Sequence, residues 1–336
     1  MTMSPIKRTA LVAALAMMPL LATAQSKLRA ADSLPAGHFF AEQGLKFWVA
    51  EARRLGATDL EIEHFPAEQL GKAKDMFQLA MTGVADIAYV VPSYVSDKMP
   101  LMTVSELPGL ASSSCHGTTA FMKMVRGGLL EQRELKPAGA VILFGSILDP
   151  YQVYTAKKID SLAGINGLKF RTAGGTQGAT MKALGGVSVS MTAPETYESL
   201  SRGTVDGIVF PYASLLAYDL GGLLKAGTRD VSFGTTLLTY VMSEKKFKSM
   251  PAAVQQAMLK AGDAAAQNVC KFLDASVAAN MKKIEAKGVT YFKLNDKDAK
   301  TLADVSTTVQ KEWAEQLDRR GKAGTDVLKA YTDALR

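Results

Sequence analysis

Three histidines, His38, His64 and His116, are the whole imidazole supply of this 336-residue chain. They form no HxxxH pair, and no CxxC motif accompanies them, so the closely spaced nitrogen and sulfur ligands of a zinc site are missing. Each is read as a surface or capping residue. Cys115 and Cys270 stand 155 positions apart; a disulfide and two buried thiols both remain open on spacing alone. No GxSxG elbow exists. Ser243-Glu244-Lys245-Lys246 fits SxxK, but the SDN and KTG companions of that chemistry are absent. Gly174-Gly175-Thr176-Gln177-Gly178 lacks a Walker lysine and is not GxGxxG. At a helix start it could offer N–H groups to an anion, and as a tight strand-to-helix turn it needs no ligand; the turn is the preferred reading. Carboxylates are numerous and no pair stands out by spacing. No catalytic residue, metal ligand or cofactor is assigned, and an enzyme has no positive support.

The ends and the composition set the frame. Lys7 and Arg8 precede an uncharged apolar run from Thr9 to Leu21, and Ala22-Thr23-Ala24 follows. This is the pattern of a cleavable signal peptide over 1–24, too short to span a bilayer. A mature periplasmic chain starting near Gln25 is expected, with no cysteine at the cleavage point to carry lipid. About 310 residues then remain, too many for one comfortable core, so two lobes are expected. The chain carries net +7, and +5 once Lys7 and Arg8 are removed. The basic residues are scattered, which argues against nucleic acid. A mild positive field favours anionic ligands.

The elements that must hold any site alternate. Strands are expected at Lys27 to Ala31, Leu60 to Phe65, Asp86 to Val91, Ala140 to Phe144, Lys169 to Arg171 and Gly207 to Phe210. Helices are expected at His38 to Leu55, Ala73 to Thr82, and from Ser112, Ser113 or Ser114 to about Arg133. A further helix runs from Gly174-Gly175-Thr176 to Leu184. Thr192-Ala193-Pro194-Glu195 reads as a capping box with proline inside the first turn. The C-terminal part is helical: Ala252 to Ala286, closed by Gly288, then Asp298 to Arg320 and Thr325 to Leu335. This order predicts α/β architecture. One internal similarity stands out. Gly83-Val84-Ala85-Asp86-Ile87-Ala88-Tyr89-Val90-Val91-Pro92 and Gly203-Thr204-Val205-Asp206-Gly207-Ile208-Val209-Phe210-Pro211 each close a helix on glycine and run a buried strand to a proline. Two lobes of like construction follow.

Asp160 to Pro211 carries a family resemblance. It holds Ile165-Asn166-Gly167-Leu168-Lys169-Phe170-Arg171, then Leu184-Gly185-Gly186-Val187, then Glu195-Thr196-Tyr197-Glu198-Ser199-Leu200, then Gly203-Thr204-Val205-Asp206-Gly207. This series resembles the extracytoplasmic binding subunit of tripartite ATP-independent periplasmic (TRAP) transporters. Phe65-Pro66-Ala67-Glu68-Gln69-Leu70-Gly71, Ser105-Glu106-Leu107-Pro108-Gly109 and Met250-Pro251-Ala252-Ala253-Val254-Gln255-Gln256 resemble further segments of it, in the right order.

The resemblance implies a two-lobed, type II-like periplasmic binding protein that closes over its ligand. It places lobe one at 26–148 plus 237–276 and lobe two at 149–236. A long C-terminal helix braces both lobes, and the helices of 277–336 pack across lobe two. It implies that Arg171 pairs bidentately with a ligand carboxylate, as a planar, always charged guanidinium can. Departures from the sialic-acid-binding branch shape the rest of the expected pocket. A second arginine is replaced by Tyr151, an asparagine by Phe210, a glutamate by Val91 and another asparagine by Ser33. With Phe233 and Thr235 (or its neighbour Thr236) nearby, a monocarboxylate with an apolar or aromatic body fits better than a sugar acid or dicarboxylate. The expected partners are this small organic acid and a membrane permease pair, and the expected state is a monomer. The alternatives are a ligand-binding subunit of a sensory system, or a binder of a dicarboxylate or sugar acid.

Overall fold

The computed structural model describes residues 27–336, so the expected leader lies outside the described residues. The strands are β1 (Leu28–Ala31), β2 (Ile62–Phe65), β3 (Ile87–Val90), β4 (Ala140–Ile147), β5 (Gln152–Thr155), β6 (Lys169–Thr172), β7 (Val187–Ser190), β8 (Gly207–Phe210), β9 (Ala226–Thr228), β10 (Leu237–Ser243) and β11 (Thr290–Phe292). They form two sheets, one of five strands in the order β2-β1-β3-β10-β4 and one of six in the order β11-β9-β5-β8-β6-β7. Helices cover them, and the fold is the two-lobed α/β architecture expected.

The internal similarity is structural. In the first lobe β1 pairs in parallel with β2 and β3, and in the second β6 pairs in parallel with β7 and β8. Gly83 (φ 78°) and Gly203 (φ 70°) end the preceding helical segments in the left-handed region, which costs glycine nothing. The aspartate three residues on then locks the strand ends. Asp86 Oδ2 accepts from Arg29 N at 2.9 Å, while Asp86 N donates to Arg29 O at 2.9 Å. Asp206 Oδ2 likewise accepts from Lys169 N at 2.9 Å, while Asp206 N donates to Lys169 O at 2.7 Å.

Three connections join the lobes. The segment 148–151 leads from β4 to β5, and 229–236 leads from β9 back to β10. These two pair with each other: Leu148 N donates to Thr236 O (3.0 Å), Tyr151 N to Gly234 O (2.9 Å) and Phe233 N to Tyr151 O (3.0 Å). The third connection is the helix Ala252–Ala286, which buries Ala261, Ala265 and Val269 in the first lobe and Ile284 in the core of the second. Trp48 ties this helix down, its Nε1 donating to Met258 O at 2.9 Å. Cys270 on it is disulfide-bonded to Cys115, which settles the pairing left open above. Asp274, one turn on, caps the helix Ser114–Val125 through Ser114 N (2.8 Å) and Cys115 N (3.0 Å).

Several expectations need correction. The helix expected to reach Arg133 stops at Val125, and Gly127 follows at φ 79°. Thr192 does not cap a helix over Pro194. Its N–H and hydroxyl both donate to Glu195 Oε2 (2.7 and 2.6 Å), and the helix starts at Thr196. The helix Asp296–Arg319 lies on Gly175–Ala183 of the second lobe, yet Trp313 Nε1 donates to Thr103 Oγ1 of the first at 2.8 Å. The last helix, Gly324–Ala334, packs on Ser114–Val125, not across lobe two, because Val327 and Tyr331 bury into the first lobe's core.

Candidate functional site

The open ends of β6 and β8 point at the other lobe. Arg171 is the third residue of β6, paired with Ile208 of β8, and its side chain is buried. Phe210 ends β8, and Pro211 stops the ladder behind it. The Arg171 guanidinium carbon lies 4.7 Å from the Phe210 ring centre, a cation–π contact. Tyr151 enters from the hinge, just before β5, whose Gln152 pairs with Phe210. These three residues line one cavity with Tyr94, Tyr89 and His38 of the first lobe and Tyr218 of the second.

Tyr94 bridges the lobes. Its hydroxyl accepts from Arg171 Nη2 at 3.3 Å and from Ala193 N at 2.9 Å. Arg171 Nε is buried without a protein partner. A buried guanidinium with a donor unused is a demand for an acceptor. The electrostatics around it are simple. Burial pushes the phenols of Tyr94, Tyr151 and Tyr218 upward, so all three stay protonated. Burial lowers His38 to about 3, so its imidazole stays neutral and Nδ1 accepts from Phe40 N at 3.1 Å. Glu106, just outside the lining, is pushed up to about 8 by burial and holds its proton. Arg171 is therefore the one charge among the described residues lining this cavity. The cavity holds about 20 Å³, room for about one water, which marks a closed arrangement of the lobes.

Four expected site residues do not line it. Phe233 is fully buried in the core behind the hinge ribbon. Thr235 donates its hydroxyl to Ser105 O at 2.6 Å, and its neighbour Thr236 faces the cavity instead. Val91 is core, and Tyr94, at the end of the next helical turn, takes the place expected for it. Ser33 is buried with an unpartnered hydroxyl, and His38 reaches the cavity from the same loop. His38, read as a surface or capping residue, is thus an interior one. Tyr94 and Tyr218 had no local signal; Tyr94 lies just beyond the strand-ending Pro92, and Tyr218 ends the helix Tyr212–Ala217 that follows Pro211. Among the described residues no group of three or more His, Cys, Asp or Glu side chains is placed to hold a metal ion.

Two α/β lobes joined by a paired ribbon and a long helix, with one buried cation between them, define a solute-binding protein. Residues 32–316 match the bacterial extracellular solute-binding proteins, family 7, and the chain belongs to that family. That family is one of solute-binding proteins, not of enzymes. Solved structures of similar fold include three of known content. A marine-metagenome TRAP solute-binding protein specific for aromatic acid ligands, in complex with 3-hydroxybenzoate, is 23% identical, with a TM-score of 0.85 over 92% of this chain and 98% of its own. A TRAP periplasmic solute-binding protein of Bordetella bronchiseptica with bound (R)- and (S)-mandelate is 22% identical, with a TM-score of 0.82 over 92% and 98%. An extracytoplasmic solute receptor of Bordetella pertussis that binds pyroglutamic acid is 23% identical, with a TM-score of 0.81 over 91% and 99%.

Proposed function

We propose that this chain is exported to the periplasm by residues 1–24, captures a monocarboxylate with an aromatic or apolar body, and delivers it to a membrane permease pair. One observation carries the reading: Arg171, with Nε unpartnered, is the single charge in a cavity otherwise walled by phenols, the Phe210 ring, aliphatic and hydroxyl side chains and a neutral imidazole. A monoanion neutralises that charge. A second carboxylate would meet no cation there, at a cost of several kcal/mol. The Phe210 ring and the side chains of Leu148 and Leu238 cover an apolar body, and the hydroxyls of Tyr94, Tyr151 and Thr236 serve a 2-hydroxy or 2-oxo oxygen. The acids named for the similar structures above, 3-hydroxybenzoate, mandelate and pyroglutamate, are all ring-bearing monocarboxylates.

The test is a calorimetric titration of benzoate, mandelate, an aromatic 2-oxo acid, a branched-chain 2-oxo acid, succinate and a hexuronate side by side. An aromatic or branched monocarboxylate is expected to bind tightest. Tightest binding of succinate or the hexuronate sinks this reading of the pocket. Arg171→Ala should weaken the best ligand by about 3–5 kcal/mol, and Arg171→Lys should restore only part, since an ammonium cannot make the fork contact.

A further inference from the structure

The cavity around Arg171 is not the largest in the molecule. One of about 630 Å³ lies on the other side of the hinge. The hinge segment is the shared wall: Leu148 and Tyr151 line the acid cavity, while Asp149, Pro150 and Gln152 line the larger one. Residues from all three connections between the lobes contribute to it. Asp149 and Pro150 come from the first, Asp230, Val231 and Ser232 from the second, and Asp274 and Val277 from the long helix. Any change in hinge angle must reshape this space.

Asp149 is the unexplained group. It is 2% exposed, and Oδ2 accepts from Tyr212 N at 3.0 Å, but Oδ1 has no partner. Its burial raises the acid to about 7. The other carboxylates of the lining are engaged. Asp230 meets Lys293 at 3.2 Å and Arg229 at 4.0 Å. Asp274 gives both oxygens to the start of the helix Ser114–Val125. No such cation meets Asp149. A buried carboxylate with half its acceptors idle is costly, and the compensation that suits it is a charged donor. Leu110, Pro150, Val231 and Val277 supply an apolar wall beside it.

We propose that this hinge cavity is a second binding site, for a small organic ammonium ion that donates to Asp149 Oδ1 and lays an alkyl body on Leu110, Pro150, Val231 and Val277. Asp149 also holds the backbone of Tyr212, two residues beyond Phe210. An ion here therefore acts on the wall of the acid site, and its affinity and that of the acid shift by one common factor. That coupling rests on the acid site proposed above; the ammonium site does not.

The experiment is calorimetric titration of the mature-length chain with n-butylammonium chloride, with 1-butanol as the uncharged control. Saturable binding of butylammonium and none of butanol is expected. Asp149→Asn should weaken it about tenfold or more, the weight of a hydrogen bond to a charged group. Val277→Phe, on the half-buried flank of the long helix, should weaken it severalfold by crowding the apolar wall that receives the alkyl body. Should Asp149→Asn not fold, Val277→Phe decides. Arg171→Ala should leave butylammonium binding intact, so loss of the acid site and loss of the ammonium site are read separately. No saturable binding to the unmodified chain, or binding left unweakened in the folded Asp149→Asn or Val277→Phe variant, overturns the proposal.

Discussion

The role proposed for Arg171 rests on neighbours that have no charge to give it. Glu106 shows how closely that is balanced. It is 1% exposed, Oε1 accepts from Ser93 Oγ at 3.1 Å and from Leu237 N at 3.4 Å, and Oε2 has no partner. Burial raises it to about 8, so between about 4.5 and 8 the folded chain keeps a proton that the unfolded chain releases. Stability must fall as pH rises through that window. His38, lowered to about 3 by burial, has the opposite sign, but its contribution is complete by about pH 6.5. Asp149 and Glu134, each raised to about 7 by burial, have the sign of Glu106, but their contribution ends near pH 7, so the range in which Glu106 acts alone is about pH 7 to 8. Wild-type stability should decline there by on the order of 1 kcal/mol. Glu106→Gln, which keeps a neutral side chain of the same shape, should flatten the decline. Equal slopes in denaturant titrations of both proteins would mean that Glu106 is ionised in the folded state.

The element that depends most on one bond is the helix Ser114–Val125. Its start is fixed to the long helix twice, by the disulfide Cys115–Cys270 and by the Asp274 cap. The disulfide closes a loop of 155 residues, for which chain entropy predicts about 5 kcal/mol. Reduction, or paired Cys→Ser substitution, should remove about 2–5 kcal/mol of stability in urea titrations. An unchanged midpoint would show that the Asp274 cap and the core hold the helix alone. Elements were legible in the sequence where the signal was local. Glycine caps, proline stops and apolar runs mark β1, β2, β3, β4, β6 and β8. The others lacked such marks. β10 is an apolar run, LLTYVMS, whose period does not separate strand from buried helix. It is a strand because β3 and β4, about a hundred positions or more away, pair on both its edges. β7 reads VSVS and is largely exposed; β9 and β11 have three residues each. In the site, Arg171, Tyr151 and Phe210 were reachable through the family resemblance, and all three lie at the ladder ends of the second lobe. The first lobe's share, Tyr94 and His38, sits in a short helical turn and a loop, a few residues beyond the expected Val91 and Ser33. No periodicity fixes a register there.

At the scale of the molecule, closure is set by contacts between lobes. At Gly174 they approach closely: a Cβ on it would lie 2.7 Å from both the Cβ and the carbonyl oxygen of Ser93. Its backbone is extended (φ 173°), so a side chain there strains nothing within its own lobe. Gly174→Val should therefore prop the lobes apart. Affinity for the preferred acid should fall while thermal stability without ligand stays near wild type. Small-angle scattering should show a smaller radius of gyration when wild type is saturated, and little change in the variant. A constant wild-type radius at proven saturation would rule out hinge closure for this protein.

Trp313 gives that motion a colour. The two tryptophans sit in different circumstances. Trp48 is sealed in the first lobe, its indole N–H held by Met258 O. Trp313 is partly buried, on a helix that leans on the second lobe while its N–H reaches Thr103 of the first. Parting the lobes must lengthen or break that bond and wet the ring, whereas Trp48 keeps its surroundings. The intrinsic emission of the unlabelled protein should thus shift to the blue as acid is added, with Trp313 as its source. Trp313→Phe should abolish the shift and Trp48→Phe should preserve it. A shift that follows Trp48 instead would mean that the first lobe itself rearranges on binding.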